Sequence, residues 1–285
     1  MIAVTGASGK FGRLVVEELL KKVPAKEVIA AVRNPAKVSD LAARGVQVRQ
    51  ADYNKPETLP AAFAGTEKLL LISSSEVGRR ITQHTAVIAA AKSAGVQLLA
   101  YTSLLRADTS ILDVAPEHKA TEEAIRASGL KYVILRNAGY FENKTARLGL
   151  FLQRGSLLSA AGDSRFASAA RADYAAAAAA VLTSTGHENK VYELAGDYPF
   201  TMAELAAEVA RQSGNPVSYN SIAPEQYKNE LLERGTPPAL ADALMYADLG
   251  ACHGDWDSSS RDLHRLIGRP TATLAEAVAA ALKNH

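Results

Sequence analysis

Short apolar runs alternate with helical patterns over the first half of the chain. The apolar runs predict strands at 2–5, 27–33, 46–50, 68–72, 97–103 and 131–136. Between them, apolar residues recur every three to four positions and predict helices at 11–22, 35–44, 56–63, 78–94 and 116–128. Because strands that alternate with helices pair in parallel, the pattern predicts a doubly wound Rossmann sheet of the α/β class.

After Asn137 the pattern becomes mainly helical. Helices are predicted at 139–153, from 172 through an alanine-rich segment, and at 201–213, 224–234, 237–249, 258–267 and 273–283. Strand patterns occur only at 190–195 and 217–219. We therefore predict a Rossmann domain over 1–136, whose sheet is completed by later segments, and a smaller, mainly helical C-terminal part over 137–285.

Three glycines follow the first predicted strand. Gly6, Gly9 and Gly12 have the spacing G-x-x-G-x-x-G. Glycines in such a turn permit positive φ, close approach of backbone N–H groups to a pyrophosphate, and tight packing of helix against strand. The N-terminus of the following helix adds partial positive charge. The loop predicts a dinucleotide site, with an ordinary strand-to-helix turn as the alternative.

The end of the second predicted strand distinguishes NAD from NADP. A carboxylate at this place would bind the ribose hydroxyls of NAD, whereas an arginine would pair with the 2′-phosphate of NADP. The strand ends Val32-Arg33-Asn34-Pro35, without a carboxylate at its tip. Because the planar guanidinium fork of Arg33 matches a phosphate, we predict NADPH as the cofactor. The alternative is a solvated surface arginine.

Charge and composition argue against other classes of protein. The 32 basic and 30 acidic residues are interspersed and leave a formal charge of +2, so we expect no nucleic-acid partner. A single cysteine, Cys252, excludes an internal disulfide and favours a cytoplasmic location. We expect no leader, no membrane insertion and no metal, because no matching apolar or histidine pattern occurs. The oligomeric state is open, with a homo-oligomer as one option.

The glycine spacing resembles the extended and atypical short-chain dehydrogenase/reductase families, most of whose members use a Ser, a Tyr and a Lys. Ser103 ends the fifth predicted strand, as the family serine does, but the next helix carries His118 and no Tyr-x-x-x-Lys. A literal Tyr-x-x-x-Lys runs from Tyr140 to Lys144, after the sixth strand. We interpret it as a chance match, while both residues stay candidates for lining the substrate pocket.

Eight further segments carry a more specific resemblance over nearly the whole chain. They are 4–7, 32–37, 50–53, 69–78, 101–105, 135–137, 171–175 and 191–197. Together they resemble the NmrA-like branch of these families, and within it most closely the bacterial NAD(P)H:quinone oxidoreductases of type 2. The chain departs from that pattern at Ser8, Lys10 and Phe11, where the family has Thr and Gln-Leu. Because the loop binds through its backbone, we expect these departures to have little effect.

The resemblance implies hydride transfer from NADPH to a quinone, without flavin or metal, with the substrate bound by the C-terminal part. Tyr140 and Asn143 are the candidates for contacting the substrate, and Tyr140 and His118 are the candidates for catalysis. The cofactor contacts that the resemblance implies are Gly6, Ala7, Ser8, Gly9, Lys10, Phe11, Arg33, Ser73, Ser74, Ser75, Asn137, Ala138, Gly139, Tyr140, Phe141, Glu142 and Arg171.

A quinone acceptor is consistent with the missing tyrosine acid. Hydride addition to a quinone leaves a phenolate-like anion whose conjugate acid has a pKa of about 10, so water can protonate it. An ordinary ketone leaves an alkoxide with a basicity near that of hydroxide, pKa about 15.7, which needs a positioned acid. His118, with an ordinary pKa of about 6.5, is a candidate proton donor or hydrogen-bond partner for the quinone oxygen. The alternative is a structural histidine in the first helical turn.

Two other functions stay open on the sequence alone. An NmrA-like redox sensor would bind NADP(H) through the same Gly6, Gly9, Gly12 and Arg33 and would catalyse no reaction. A reductase of triphenylmethane dyes would differ only in the shape of its substrate pocket.

Overall fold

The computed structural model describes residues 1–283, which form a seven-stranded parallel sheet and a separate two-stranded one. The strands are β1 (Ile2–Thr5), β2 (Val28–Val32), β3 (Gln47–Gln50), β4 (Lys68–Leu71), β5 (Leu98–Leu104), β6 (Tyr132–Asn137), β7 (Ser156–Ser159), β8 (Lys190–Leu194) and β9 (Ser218–Ser221). The large sheet has the order β3-β2-β1-β4-β5-β6-β8. The predicted Rossmann-like α/β fold is confirmed.

Helices follow almost every strand of the large sheet. They are α1 (Lys10–Leu20), α2 (Ser39–Ala43), α3 (Leu59–Phe63), α4 (Arg80–Ser93), α5 (Ala115–Ala127), α6 (Phe141–Thr145), α7 (Leu148–Arg154), α8 (Arg171–Thr183), α9 (Met202–Ser213), α10 (Pro224–Glu233), α11 (Pro238–His253), α12 (Asp262–Ile267) and α13 (Leu274–Leu282). The segments predicted as helices at 35–44 and 56–63 each begin with a 3-10 turn, at 35–38 and 56–58, before α2 and α3.

Continuous apolar runs build the sheet because helices cover both of its faces. Every residue of β1, β2 and β5 is buried, as is typical of strands in a parallel sheet. A core cluster with Leu59, Phe63, Val87 and Tyr101 packs beside these strands. Parallel strands end at the same edge, so the loops after β1, β2 and β4 lie together.

Contacts divide the chain into two compact units that are interleaved along the sequence. The first unit, here called the sheet unit, comprises 1–107, 116–137 and 172–192. The second, here called the helical unit, comprises 108–115, 138–171 and 193–285 in the contact analysis, and it is described here up to residue 283. The sequence predicted one boundary between the two parts of the chain, between residues 136 and 137. In the structure α8 and most of β8, which follow that boundary, belong to the sheet unit. Hydrogen bonds from Asn189 N to Tyr132 O and from Ala138 N to Leu194 O place β8 beside β6.

The helical unit differs from the sequence prediction at two places. The helix predicted at 139–153 is divided into α6 and α7, because the backbone at Arg147 leaves the helical conformation, with φ −102° and ψ 8°. The short strand β7 was not predicted, and it pairs in parallel with β9. A separate aromatic core with Phe141, Phe151 and Phe200 holds this unit together. Within residues 1–283, no helix combines the length and apolar character needed to cross a bilayer.

Candidate active site

A cavity of about 340 Å³ opens in the sheet unit at the carboxyl ends of the strands. Nine of the predicted cofactor residues line it: Gly6, Ser8, Gly9, Lys10, Phe11, Arg33, Ser73, Ser74 and Ser75. Ala7, in the same loop, is fully buried. Gly12, the third glycine of the predicted loop, lines it as well. Sequence reasoning did not assign the other lining residues to the site, which are Ala51, Asp52, Tyr53, Asn54, Ile72, Glu76 and Gln83.

The glycines shape one wall of this cavity. Gly6 has a φ of +61°, and Gly9 N donates to Gly6 O at 2.9 Å. A Cβ at Gly12 would lie 2.4 Å from Gly6 O and 2.8 Å from the Cα of Ala7, so α1 packs directly against the loop. Gly9 is the N-cap of α1, and no side chain caps this end of the helix. The arrangement leaves a backbone-lined hollow at a helix N-terminus, which suits a pyrophosphate.

The loop after β4 forms the opposite wall. Ser73 N donates to Thr102 Oγ1 at 2.9 Å, and Ser74 N donates to His84 Nε2 at 3.0 Å, so both backbone groups are fixed. The Ser73 hydroxyl is buried and lines the cavity, yet it has no hydrogen-bond partner among the described residues. A buried hydroxyl without a partner carries an energetic cost, which a polar ligand relieves. The cavity therefore fits a dinucleotide by its cradle and by this open donor.

Arg33 lies where the sequence placed it, at the end of β2, with an exposed guanidinium on the cavity. Its Nη1 is 3.4 Å from the carboxylate of Glu76, which comes from the loop after β4. Asn54 Nδ2 and Gln83 Nε2 also donate to Glu76. The hydrogen bond from Asn54 is the main cause that lowers the pKa of Glu76, so it is ionised at pH 7. A carboxylate that the sequence analysis did not find thus faces the arginine predicted to bind the 2′-phosphate.

His118 lies inside the sheet unit and lines neither of the cavities described here. Its Nδ1 is 2.8 Å from the hydroxyl of Tyr101, and burial lowers the pKa of its imidazole to about 3. The ring is therefore neutral at pH 7. Ser103 donates to the buried carboxylate of Glu122 at 2.7 Å, and Arg136 pairs with the same carboxylate. Ser103 consequently anchors β5 to α5.

A second cavity, of about 220 Å³, lies within the helical unit. Its wall combines aromatic and aliphatic side chains with a few polar groups, as small-molecule sites do. The lining residues are Gly139, Tyr140, Asn143, Lys144, Arg147, Phe151, Ser159, Phe166, Ser168, Met202, Tyr227, Leu244, Ala247, Asp248 and Trp256. Both residues expected to contact substrate, Tyr140 and Asn143, are among them.

The segment after β6 and the start of α8 form a connected group beside this cavity. Glu142 accepts from Arg171 N with both carboxylate oxygens, at 3.0 and 3.1 Å, and so caps α8. The Arg171 guanidinium stacks over the Tyr140 ring at 5.0 Å and donates to Asn143 Oδ1 at 3.2 Å. Phe141 is buried in the aromatic core instead. Ala138 and Asn137 are also buried, at the end of β6.

Lys144 lines the second cavity, as the sequence analysis left open for both ends of the Tyr-x-x-x-Lys match. It ends the literal Tyr-x-x-x-Lys match, and it shares the second cavity with Tyr140. Its Nζ lies 3.7 Å from the centroid of the Phe166 ring. Burial lowers the pKa of its ammonium group, and the nearby Asp248 carboxylate opposes that shift. One turn of α6 brings Tyr140 and Lys144 to the same cavity, so the spacing was a usable signal.

Comparison with known proteins identifies the family. A family model described as NAD(P)H-binding matches residues 6–185, which include the glycine loop, Arg33 and the whole loop after β4. The chain belongs to the NAD(P)H-binding family. The resemblance stated from the sequence segments is thereby confirmed.

Individual relatives match the chain over nearly its whole length. Quinone oxidoreductase 2 of Escherichia coli is 53% identical over 278 residues, which cover 98% of this chain and 97% of that protein. The crystal structure of an Escherichia coli NADPH-dependent quinone oxidoreductase complexed with NADPH superposes with a TM-score of 0.97 at 52% identity, covering 99% of this chain and 100% of that one. Citrobacter sp. triphenylmethane reductase complexed with NADP(H) has a TM-score of 0.95 at 42% identity, covering 99% and 100%.

Proposed function

We propose that this chain is an NADPH-dependent quinone oxidoreductase that transfers a hydride to a quinone without flavin or metal. The observation that carries the proposal is the match of 53% identity with Escherichia coli quinone oxidoreductase 2, over 98% of this chain. The chain's own geometry supports it, because the glycine cradle and the open Ser73 hydroxyl suit a dinucleotide. When bound, NADPH supplies a hydride from C4 of its nicotinamide.

In this proposal the sheet unit holds the adenosine and pyrophosphate of the cofactor. Backbone N–H groups of residues 6–11 bind the pyrophosphate, Arg33 pairs with the 2′-phosphate, and Ser73 to Ser75 contact the sugar and base side. The nicotinamide half is assigned to Asn137, Ala138, Gly139, Tyr140, Phe141, Glu142 and Arg171, as the resemblance implies. Gly139 and Tyr140 support this assignment, because they open onto a cavity of suitable size for an aromatic acceptor.

The quinone is assigned to the second cavity, against Tyr140 and Asn143. Their side chains are held in place by Arg171, which stacks on one and donates to the other. A direct part of His118 in proton transfer stays a prediction. Since its ring is neutral and its Nδ1 meets the Tyr101 hydroxyl, what the structure supports is a role in holding β5.

The test is turnover by the purified protein. We expect NADPH to be consumed with 1,4-benzoquinone or a naphthoquinone well above the protein-free rate, with no flavin in the preparation. NADH serves as the matched control, and we expect it to be the poorer donor because it lacks the 2′-phosphate. Binding of NADPH and NADP⁺ without turnover of any quinone would contradict the proposal and favour a redox sensor.

A dye reductase is the second candidate, because Citrobacter triphenylmethane reductase is 42% identical with a TM-score of 0.95. Such an acceptor is a bulky three-ring cation. The cavity of about 220 Å³ bears the cation Lys144 on its wall, so we expect a quinone to be the better acceptor. Comparing kcat/KM for a triphenylmethane dye and a naphthoquinone in one preparation decides between them.

We also propose a cytoplasmic location and no nucleic-acid partner. The first rests on the single cysteine, Cys252, whose side chain is exposed and would be kept reduced there. The second rests on the near balance of 32 basic and 30 acidic residues.

A further inference from the structure

The cavity of the helical unit contains the ammonium group of Lys144, which forms no ion pair in the described part of the chain. Lys144 Nζ packs against the Phe166 ring at 3.7 Å. Among residues 1–283 it makes no hydrogen bond or ion pair. A desolvated cation without a partner costs free energy, which an anionic or strongly polar ligand would recover. The group is therefore placed to meet a ligand oxygen.

The other charged groups on this wall are already engaged. Asp248 accepts from Ser159 Oγ at 2.7 Å and from Ala160 N at 2.8 Å. Arg147 donates to the Tyr227 hydroxyl at 2.8 Å. Four other titratable groups line the cavity with Lys144. They are Tyr140 just before α6, Arg147 just after it, the buried Tyr227 on α10 and Asp248 on α11. Lys144 is thus the cation of this wall that makes no hydrogen bond to the described residues, whereas Arg147 makes one.

A second donor stands in the same cavity. Ser168 is buried and lines the wall, and its hydroxyl has no hydrogen-bond partner among the described residues. A Cβ on Gly139 would lie 3.1 Å from this hydroxyl, so a side chain at Gly139 would crowd it. Two unsatisfied donors in an aromatic pocket are suited to bind a carbonyl oxygen on an aromatic ring.

We propose that Lys144 is the proton donor of the quinone reduction, and that Ser168 is a second hydrogen-bond donor to the acceptor in the same cavity. This inference rests on the proposed function. The acceptor gains a hydride, which breaks the C4–H bond of the dihydronicotinamide and leaves the nicotinamide oxidised. As the product O–H bond forms, one N–H bond of Lys144 breaks, and the neutral amine takes a proton back from water.

The surroundings of Lys144 suit this role. Burial lowers the pKa of its ammonium group below the ordinary value for a lysine, which makes the group a stronger acid. A lowered pKa favours proton transfer from this ammonium to a phenolate-like product beside it. The chain therefore has a positioned acid, although it lacks the usual tyrosine of short-chain dehydrogenases. Without Lys144, water would be the proton donor.

The kinetic test compares Lys144→Met and Lys144→Arg with two quinones. The product of tetramethyl-1,4-benzoquinone is a weaker acid than that of 1,4-benzoquinone, so it depends more on a donor. We expect Lys144→Met to lower kcat/KM about 100-fold for the tetramethyl compound and only a few-fold for the unsubstituted one. Lys144→Arg keeps the positive charge, but a guanidinium does not give up its proton. Relative to Lys144→Met, this variant should therefore restore KM while kcat stays low. Lys92→Met, an exposed change on α4, is the matched control.

A binding test without cofactor gives a second readout. We expect 4-nitrophenolate to bind the wild type about tenfold more tightly than 4-nitrophenol, seen as a shift of its absorbance titration. Lys144→Met should abolish that preference, whereas Lys144→Arg and Lys92→Met should keep it. Unchanged NADPH affinity in Lys144→Met, measured by fluorescence, would show that the variant is folded.

The outcomes separate this inference from the proposed function. Wild type that reduces no quinone contradicts the proposed function. If the wild type reduces quinones and Lys144→Met is equally active on both compounds, the assignment of Lys144 is overturned while the function stands. A wild type without preference for 4-nitrophenolate overturns it as well.

Discussion

At the scale of single residues, the ion pair between Arg33 and Glu76 bears on the proposed choice of cofactor. The guanidinium that suits a 2′-phosphate is 3.4 Å from a carboxylate in the same cavity. A 2′-phosphate would have to take the arginine from Glu76, and the two anions would repel each other. We therefore expect the selectivity for NADPH to be the balance of one attraction and one repulsion.

Replacing the arginine should separate the two cofactors. We expect Arg33→Glu to weaken NADPH binding 10- to 100-fold, roughly 1.4 to 2.7 kcal/mol, and to leave NADH binding nearly unchanged. Dissociation constants from fluorescence titration measure both. An equal loss for the two cofactors would refute the assignment of Arg33. Glu76→Gln is the opposite control, since removing the competing anion should tighten NADPH binding several-fold.

At the scale of elements, the contact between α1 and the glycine loop sets the shape of the pyrophosphate hollow. The helix approaches so closely that Gly12 has no room for a Cβ. The two nearest atoms belong to backbone, which cannot move aside as a flexible side chain can. The third glycine is thus a packing requirement, and the position of the helix N-terminus depends on it.

Two alanine substitutions should therefore differ in their effect on stability. Gly12→Ala places a Cβ 2.4 Å from Gly6 O, and we expect a loss of ~1–3 kcal/mol in the free energy of unfolding and at least tenfold weaker NADPH binding. Gly9→Ala meets the same oxygen at 3.2 Å and should destabilise less. Urea unfolding measures the difference. Equal stability of both variants and wild type would show that α1 shifts without cost.

At the scale of the whole molecule, two buried neutral histidines link stability to pH. Burial lowers the pKa of His84 and of His118 to about 3. His84 accepts from Ser74 N through Nε2, and its Nδ1 bonds to Thr121 Oγ1, which itself donates to Glu117 O. A second proton on this ring would face an N–H donor. The fold thus requires the neutral tautomer.

The sign of the pH dependence follows from proton binding. In the unfolded chain both histidines take up protons below about pH 6.5, while the native protein takes up none there. The free energy of unfolding should therefore fall as the pH drops from 6.5 to 5, by up to about 1.4 kcal/mol per pH unit for each ring. Urea unfolding at several pH values measures the slope. His84→Gln should reduce it, because Gln supplies the same acceptor and donor without titrating; an unchanged slope would contradict the account.

The local patterns of the sequence were sufficient to predict the sheet, the glycine loop and Arg33. Strand and helix periodicity depends on which faces are buried, and a glycine loop between them depends on neighbours within a few positions. The bounds of β1, β2 and β6 agree with the predicted runs to within one residue at most ends. Arg33 needed only its place at the tip of β2.

Only the tertiary structure decided what surrounds these residues. Glu76 reaches Arg33 from 43 positions away, and Lys144 shares a cavity with Ser168 and Asp248 because α6 ends before Arg147. Such neighbours are set by how distant segments pack, and no spacing along the chain records that packing. The sequence therefore determined the fold and the glycine loop by itself, whereas the carboxylate beside Arg33 and the surroundings of Lys144 depend on contacts made only once the chain is folded.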